Sequence, residues 1–265
     1  MANTFYEKAA DAGSYFRLMR YMDSDMSYRL MPHYHSSLEI FIVVRGEYYV
    51  YVNGERRKLT AGDIAFVDGF TPHTSGSTEL VEGTLVYVAI VSPDYLRGVD
   101  WLEKQTLPPF IPSHGGIEDI TKLCELSYRI FGGDDRCSGA DEEMKRGFAS
   151  LLLGALRSYC RPTARERDRS AEVTVEIMKY IGEHYAEDIN LSTLAERFGY
   201  EKTYLSRVLN KTLNMNFREY LNRVRISAVK RLRAAEPHTS LYRLAEECGF
   251  KSENTFYRAY KRYIQ

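Results

Sequence analysis

Two hydrophobic periods divide the chain. Between Leu38 and Val91 the apolar residues fall in short runs rich in β-branched and aromatic side chains, "LEIFIVVRGEYYVYVNGERRKL", "IAFVDG" and "GTLVYVAIV". The runs are broken at Arg45-Gly46, at the turn dipeptide Asn53-Gly54 and at Gly62-Asp63. Short strands with no helical stretch between them predict a small antiparallel barrel or sandwich. Past Gly115-Gly116 the spacing becomes helical. "IEDITKLCELSYRIF" and "EEMKRGFASLLLGALRSYC" each carry an apolar face, and the polar "GGDDRCSGAD" joins them. That predicts a helical hairpin, either covering an open face of the barrel or making a dimer contact. The charged, Pro-containing "RPTARERDRS" reads as a linker, and everything after it as helix. The expected fold class is α+β: an antiparallel β-barrel over 1–115, the hairpin over 116–160, a linker at 161–170 and an all-α region over 171–265.

The helical half repeats itself. In "INLSTLAERFGYEKTYLSRVLNKT", Leu191, Leu194, Ala195 and Phe198 share one helix face, and Gly199 ends that helix. A second helix follows from near Glu201, with Leu205, Val208 and Leu209 turned inward and Lys202, Thr203, Ser206, Arg207 and Lys211 outward: the grammar of a helix-turn-helix. Fifty residues on, "SLYRLAEECGFKSENTFYRAYKRYI" keeps the apolar positions, the turn glycine and an outward arginine in register. Between the copies, "NFREYLNRVRISAVKRLRAAE" predicts a long basic helix that stops before Pro237.

Charge sharpens this picture. The chain is formally neutral, with 36 basic and 36 acidic residues, yet Arg197 to Arg233 holds ten basic residues against Glu201 and Glu219. Such asymmetry points to a polyanion partner for the second half.

The residues A-x-x-x-G(F/Y)-x-x-x-x-(L/F)-x-R, then Phe217, Tyr220, Leu221, Arg225 and Ile226, then the second copy, resemble the DNA-binding region of AraC/XylS-type transcription regulators over residues 177–265. By position the resemblance implies base contacts from Thr203, Ser206 and Arg207 in the first unit and from Glu253, Asn254, Tyr257 and Arg258 in the second. Arginine pairs bidentately with guanine and asparagine with adenine, while Lys202, Lys211 and Lys261 are placed to neutralise phosphates. Two departures stand out. Asn214 occupies a position where the family has Gly, a substitution asparagine tolerates. The family also continues beyond the position of Gln265 with a further short helix, so the second unit is expected to be shortened.

The segment "HYHSSLEIFIVVRG" resembles the first cupin motif through His33, His35, Glu39 and Gly46, and Gly62 with His73 resembles the second. Asp68, Phe70 and Ser77 replace the usual Pro, Gly and Asn. In metal-binding cupins these four His and Glu positions are the ligands, a set that suits Fe, Mn, Ni or Zn. Strand alternation turns His33, His35, Glu39, Phe41 and Val43 inward together. Three readings stay open. One is a small-molecule pocket without metal, formed by Arg29, His33, His35, Glu39, Phe41, Tyr49, Tyr51 and His73, with the aromatic rings as stacking platforms. The second is a bound divalent metal on His33, His35, Glu39 and His73. The third is a structural cluster whose members satisfy one another.

The start "MANTFYEKAADAG" lacks the apolar core of a secretory signal and no apolar run reaches the length of a membrane span, so a cytoplasmic protein with no membrane partner is expected. The four cysteines include no C-x-x-C pair, which leaves no zinc-ribbon or thioredoxin-like motif. The expected function is a DNA-binding transcription regulator answering to a small-molecule effector, a carbohydrate or related metabolite, with no catalytic residues and no obligatory cofactor. The partners expected are double-stranded DNA, the effector, a second copy of the chain and RNA polymerase. By the behaviour of the family, residues 1–28 would form a mobile arm. The competing readings are a metal-dependent cupin enzyme with a helical tail, and a constitutive DNA binder whose barrel only dimerises.

Overall fold

The computed structural model describes residues 16–22, 31–76, 83–113, 116–131 and 142–263. They form two compact units, one running from Tyr34 to Asp168 with the strand Phe16–Met22, the other from Arg169 onward with the short segment Met31–His33.

The first unit is built on strands β1 (Phe16–Met22), β2 (Leu38–Arg45), β3 (Glu47–Val52), β4 (Glu55–Thr60), β5 (Ile64–Val67), β6 (His73–Ser75) and β7 (Leu85–Val91). Two one-turn helices, α1 (Pro93–Leu96) and α2 (Asp100–Lys104), precede the short strands β8 (Gln105–Thr106) and β9 (Phe110–Ile111). One antiparallel sheet has the order β1-β7-β2-β5-β9 and another β4-β3-β6. β2 is buried over most of its length because both its faces meet apolar neighbours. Phe41 and Val43 join Tyr48, Val50, Val52, Leu59 and Val88 in a core shared by the two sheets. Leu38, Ile40 and Ile42 point the other way, into a second core.

That second core contains the helical hairpin, α3 (Ile117–Phe131) and α4 (Glu142–Tyr159). Ile120 and Cys124 of α3 and Leu152, Leu153 and Leu156 of α4 lie in it with Phe16 and Tyr87. The hairpin therefore covers the larger sheet, as one of the two expectations for it holds. Its other side leaves Leu126, Ile130, Met144 and Leu151 exposed. Within the expected linker, strand β10 (Thr163–Ala164) pairs with β8, and Arg165 bonds the carbonyl of Leu102 and the carboxylate of Asp68.

The second unit consists of α5 (Arg169–His184), α6 (Leu191–Phe198), α7 (Lys202–Leu213), α8 (Phe217–Ala235), α9 (Leu241–Glu247) and α10 (Glu253–Tyr263). The helix starts are set by short polar side chains: Asn190 caps α6 in a reciprocal box with Thr193, Asn216 caps α8 and Ser240 caps α9. Gly199 at φ +68° ends α6, and Asn214 at φ +53° ends α7, so asparagine fills the left-handed position as anticipated. Ile226, Ala228 and Val229 of α8 pack with Leu244 and Ala245 of α9 and with Phe256 and Ala259 of α10. Burying a ring such as Phe256 contributes about 1.5–3 kcal/mol.

Candidate functional site

On α7 the residues Leu205, Val208 and Leu209 are buried, which leaves Lys202, Thr203, Arg207 and Lys211 exposed and Ser206 half-buried on the opposite face. On α10 Phe256 and Ala259 are buried, while Glu253, Asn254, Tyr257, Arg258 and Lys261 are exposed. All ten residues singled out for DNA thus lie on the outward faces of the second helix of each pair. Two amphipathic helices of this kind, each anchored on its buried stripe, present their polar faces without rearrangement.

What locks the two helix pairs together was not visible in the sequence. Arg225 of α8 donates from Nε to the carbonyl of Tyr185 at 2.8 Å and from Nη2 to that of Glu187 at 2.9 Å. Its burial lowers the guanidinium pKa, against the pull of Asp188. Lys251, just ahead of α10, ion-pairs with Asp188 at 2.5 Å. Between them Gly249, at φ +90°, lies so close to this loop that a Cβ would come within 2.7 Å of the Ala186 carbonyl. The available signal was a basic residue on a helix face flanked by the apolar Val224 and Ala228.

In the barrel, Glu39 on β2 and His73 on β6 meet His35, and all three are buried. Nε2 of His73 lies 2.8 Å from Glu39 Oε2, and Nε2 of His35 lies 3.5 Å from the same atom. The opposite nitrogens are held by the main chain. Nδ1 of His35 bonds the Ser37 carbonyl at 2.9 Å, that of His73 the Thr71 carbonyl at 2.8 Å, and that of His33 the Met31 carbonyl at 2.9 Å. A carbonyl only accepts, so each Nδ1 donates in these bonds, and in His35 and His73 Nε2 is the nitrogen that faces Glu39. Ligand atoms of His33, His35, Glu39 and His73 lie within 4.8 Å of one another. Burial works to raise the Glu39 pKa, but the hydrogen bonds and charges of His35 and His73 outweigh it and hold the carboxyl well below the ordinary range. A divalent cation held at these atoms would compete with protons for His73 Nε2 and the Glu39 carboxylate. The donor set, three imidazoles pinned from behind and one carboxylate, fits a transition metal.

The turn leading to His73 is tied to the same cluster. Phe70 adopts φ +60°, the left-handed conformation for which the cupin motif carries Gly, and its N–H donates to the His35 carbonyl at 2.7 Å.

Two of the residues expected in the pocket are elsewhere. Tyr49 and Tyr51 lie on the outer face of β3, where the Arg56 guanidinium stacks on them at 4.4 and 5.7 Å. The residue inside is Tyr48, whose hydroxyl donates to Ser75 Oγ at 3.1 Å and whose pKa is raised by burial. The register of β2 shifts between Val43 and Arg45, so the inward parity changes from odd on β2 to even on β3. Phe41 is inside, as the alternation requires. Within the expected mobile arm, residues 16–22 are instead strand β1, paired with β7; the rest of 1–28, with Arg29 and Ser77, lies outside the described residues.

Both halves of the chain are similar to known families. A helix-turn-helix domain family matches residues 194–265 and a cupin domain family residues 24–89. The HTH-type transcriptional activator RhaS of Salmonella typhimurium is 28% identical over 238 residues, 87% of this chain and 83% of the relative. The fold is similar to that of apo ToxT from Vibrio cholerae, with a TM-score of 0.50 and 14% identity over 94% of each chain.

Proposed function

We propose, because the chain belongs to the AraC/XylS-type transcription regulators, that occupancy of the His and Glu cluster in its barrel sets how strongly the paired helix-turn-helix units engage a promoter. The observation that carries this reading is the burial of His35, Glu39 and His73 side by side in the barrel, with both imidazoles turned on the Glu39 carboxylate. Burying ionisable groups together is costly, and a ligand that engages them better in one arrangement of the protein gains differential affinity for that state. An effector of polar, hydroxyl- or carboxylate-bearing chemistry, a carbohydrate or related metabolite, suits these donors. The activator RhaS supports raised rather than lowered transcription as the outcome.

The residues reading bases are Thr203, Ser206, Arg207, Glu253, Asn254, Tyr257 and Arg258, with Lys202, Lys211 and Lys261 on phosphates. Successive major-groove segments on one DNA face lie about 34 Å apart, so one chain reads a non-palindromic site. The exposed Leu126, Ile130, Met144 and Leu151 support pairing of two chains through the hairpin.

A second reading of the cluster is favoured by the three Nδ1 bonds to carbonyls, which orient imidazoles as they are oriented in metal sites. Here His33, His35, Glu39 and His73 hold a divalent transition ion. Bound there, the ion would supply a Lewis-acidic point for an effector oxygen. Metal content and thermal shift decide it. Stoichiometric Fe, Mn, Ni or Zn, with stabilisation that Glu39→Gln abolishes, is the expected result. A chain that retains no metal and gains no stability from added ions refutes the metal. A metabolite screen by the same method tests the effector itself, since a ligand at a hundred times its Kd adds about 2.7 kcal/mol.

A further inference from the structure

Two adjoining hollows, of about 280 and 400 Å3, open between α8 and α10. Both are lined by Arg218, Asn222 and Thr255. The smaller adds Arg258 and Arg262, and the larger reaches Lys251 and the Asn190 cap of α6. A continuous cleft thus runs from the outward face of the second helix-turn-helix, along the first two turns of α8, to the start of the first.

Its charge is more than the protein uses internally. Arg225 is spent on two carbonyls, Lys251 on Asp188, and Arg262 sits 3.9 Å from Glu219. Arg218 and Arg258 are exposed and, among the described residues, take part in no ion pair. Asp188, the only carboxylate among the lining residues, is already paired. A forked guanidinium beside an amide and a hydroxyl is a donor set for a phosphate oxygen cluster.

We propose that this cleft seats backbone phosphates of the DNA stretch lying between the two base-reading helices, with Arg218 as the principal cation and Asn222, Thr255 and Arg262 beside it. The proposal rests on the DNA-binding reading above. Two features select the occupant. The cleft is continuous with the base-reading face through Arg258, and it bridges the two helix-turn-helix units, where a duplex engaged in two successive major grooves has to pass its intervening phosphates. These contacts position the protein without reading sequence. A free phosphorylated metabolite offers the same anion, so the test separates the two sources.

The experiment uses the full chain and a duplex selected by it from promoter fragments. Arg218→Ala is expected to weaken specific and random DNA alike and to lower the slope of log affinity against log salt by about one. Methylphosphonate substitutions between the two contacted grooves are expected to weaken wild type but to leave Arg218→Ala unaffected. Unchanged salt slope and phosphate profile in Arg218→Ala, while Arg207→Ala still relaxes base preference, overturn the cleft and spare the DNA reading. Absence of any duplex binding by wild type sinks both. Arg218-dependent binding of inorganic phosphate to the DNA-free chain, with the DNA salt slope unaltered by the substitution, assigns the cleft to a free anion and also overturns the proposal.

Discussion

Gly199 and Gly249 occupy equivalent turns of the two repeats, both in the left-handed region, yet alanine should cost very different amounts at the two. At Gly199, φ +68°, nothing lies within 4 Å of where a Cβ would stand. The cost there is the left-handed crowding of an L-residue, about 1–2 kcal/mol, partly offset by about 0.4–1 kcal/mol from the stiffer unfolded chain. A net loss of about 1 kcal/mol follows. At Gly249, φ +90°, the Cβ would meet the Ala186 and Tyr185 carbonyls at 2.7 and 2.9 Å. Both are backbone atoms, and both belong to the loop that Arg225 and Lys251 hold in place. Separating them adds about 1–3 kcal/mol of overpacking, for a total of about 2–4 kcal/mol. Urea unfolding can assign the loss to one unit, because Trp101 is the chain's single tryptophan and lies in the barrel unit. Gly249→Ala should move the far-UV helical transition to lower urea while the tryptophan transition stays, and Gly199→Ala should move it much less. Equal losses at the two glycines, or a matching shift at Trp101, would refute the clash and with it the locked arrangement of the helix pairs.

Arg207→Ala should cost about 1–3 kcal/mol on the specific site and relax preference at one base, whereas Lys211→Ala should weaken all sequences alike; identical effects on specific and random duplexes would remove Arg207 from the base contacts. Leu151→Glu, at a residue 61% exposed, should leave the fold intact by circular dichroism and shift sedimentation from dimer to monomer; an unchanged mass would move the dimer contact elsewhere or dismiss it. Burial pushes the Cys124 thiol up to about 12 and the Cys248 thiol to about 11. Both should therefore resist maleimide at pH 8 until the chain is unfolded, as mass spectrometry of labelled peptides would reveal, and rapid native labelling of either contradicts the packing around it.

The strands, the hairpin and both helix pairs were legible because each has its own hydrophobic period, and because local signals such as Gly199, Asn214 and Pro237 mark where helices end. The direction of a side chain within a strand survived only as far as the next irregularity. From Glu39 to Val43 the alternation assigned the interior correctly, but the register shift at Val43 to Arg45 reversed it, exchanging Tyr49 and Tyr51 for Tyr48. Alternation is a local rule, and an extra residue at a bend resets it.

By itself the sequence determined what repeats and what alternates: an antiparallel β half, two amphipathic helix pairs at a constant offset and a basic outer face, with His33, His35, Glu39 and His73 as candidates for one cluster. Only the tertiary structure decided which nitrogen of each histidine faces the carboxylate, that Arg225 fastens the two helix pairs through carbonyls about forty residues away, and that Arg218 shares a cleft with Arg258. The reason is physical. Period and propensity act over neighbours along the chain, whereas hydrogen-bond direction and close approach depend on segments whose separation in sequence carries no trace of their distance in space.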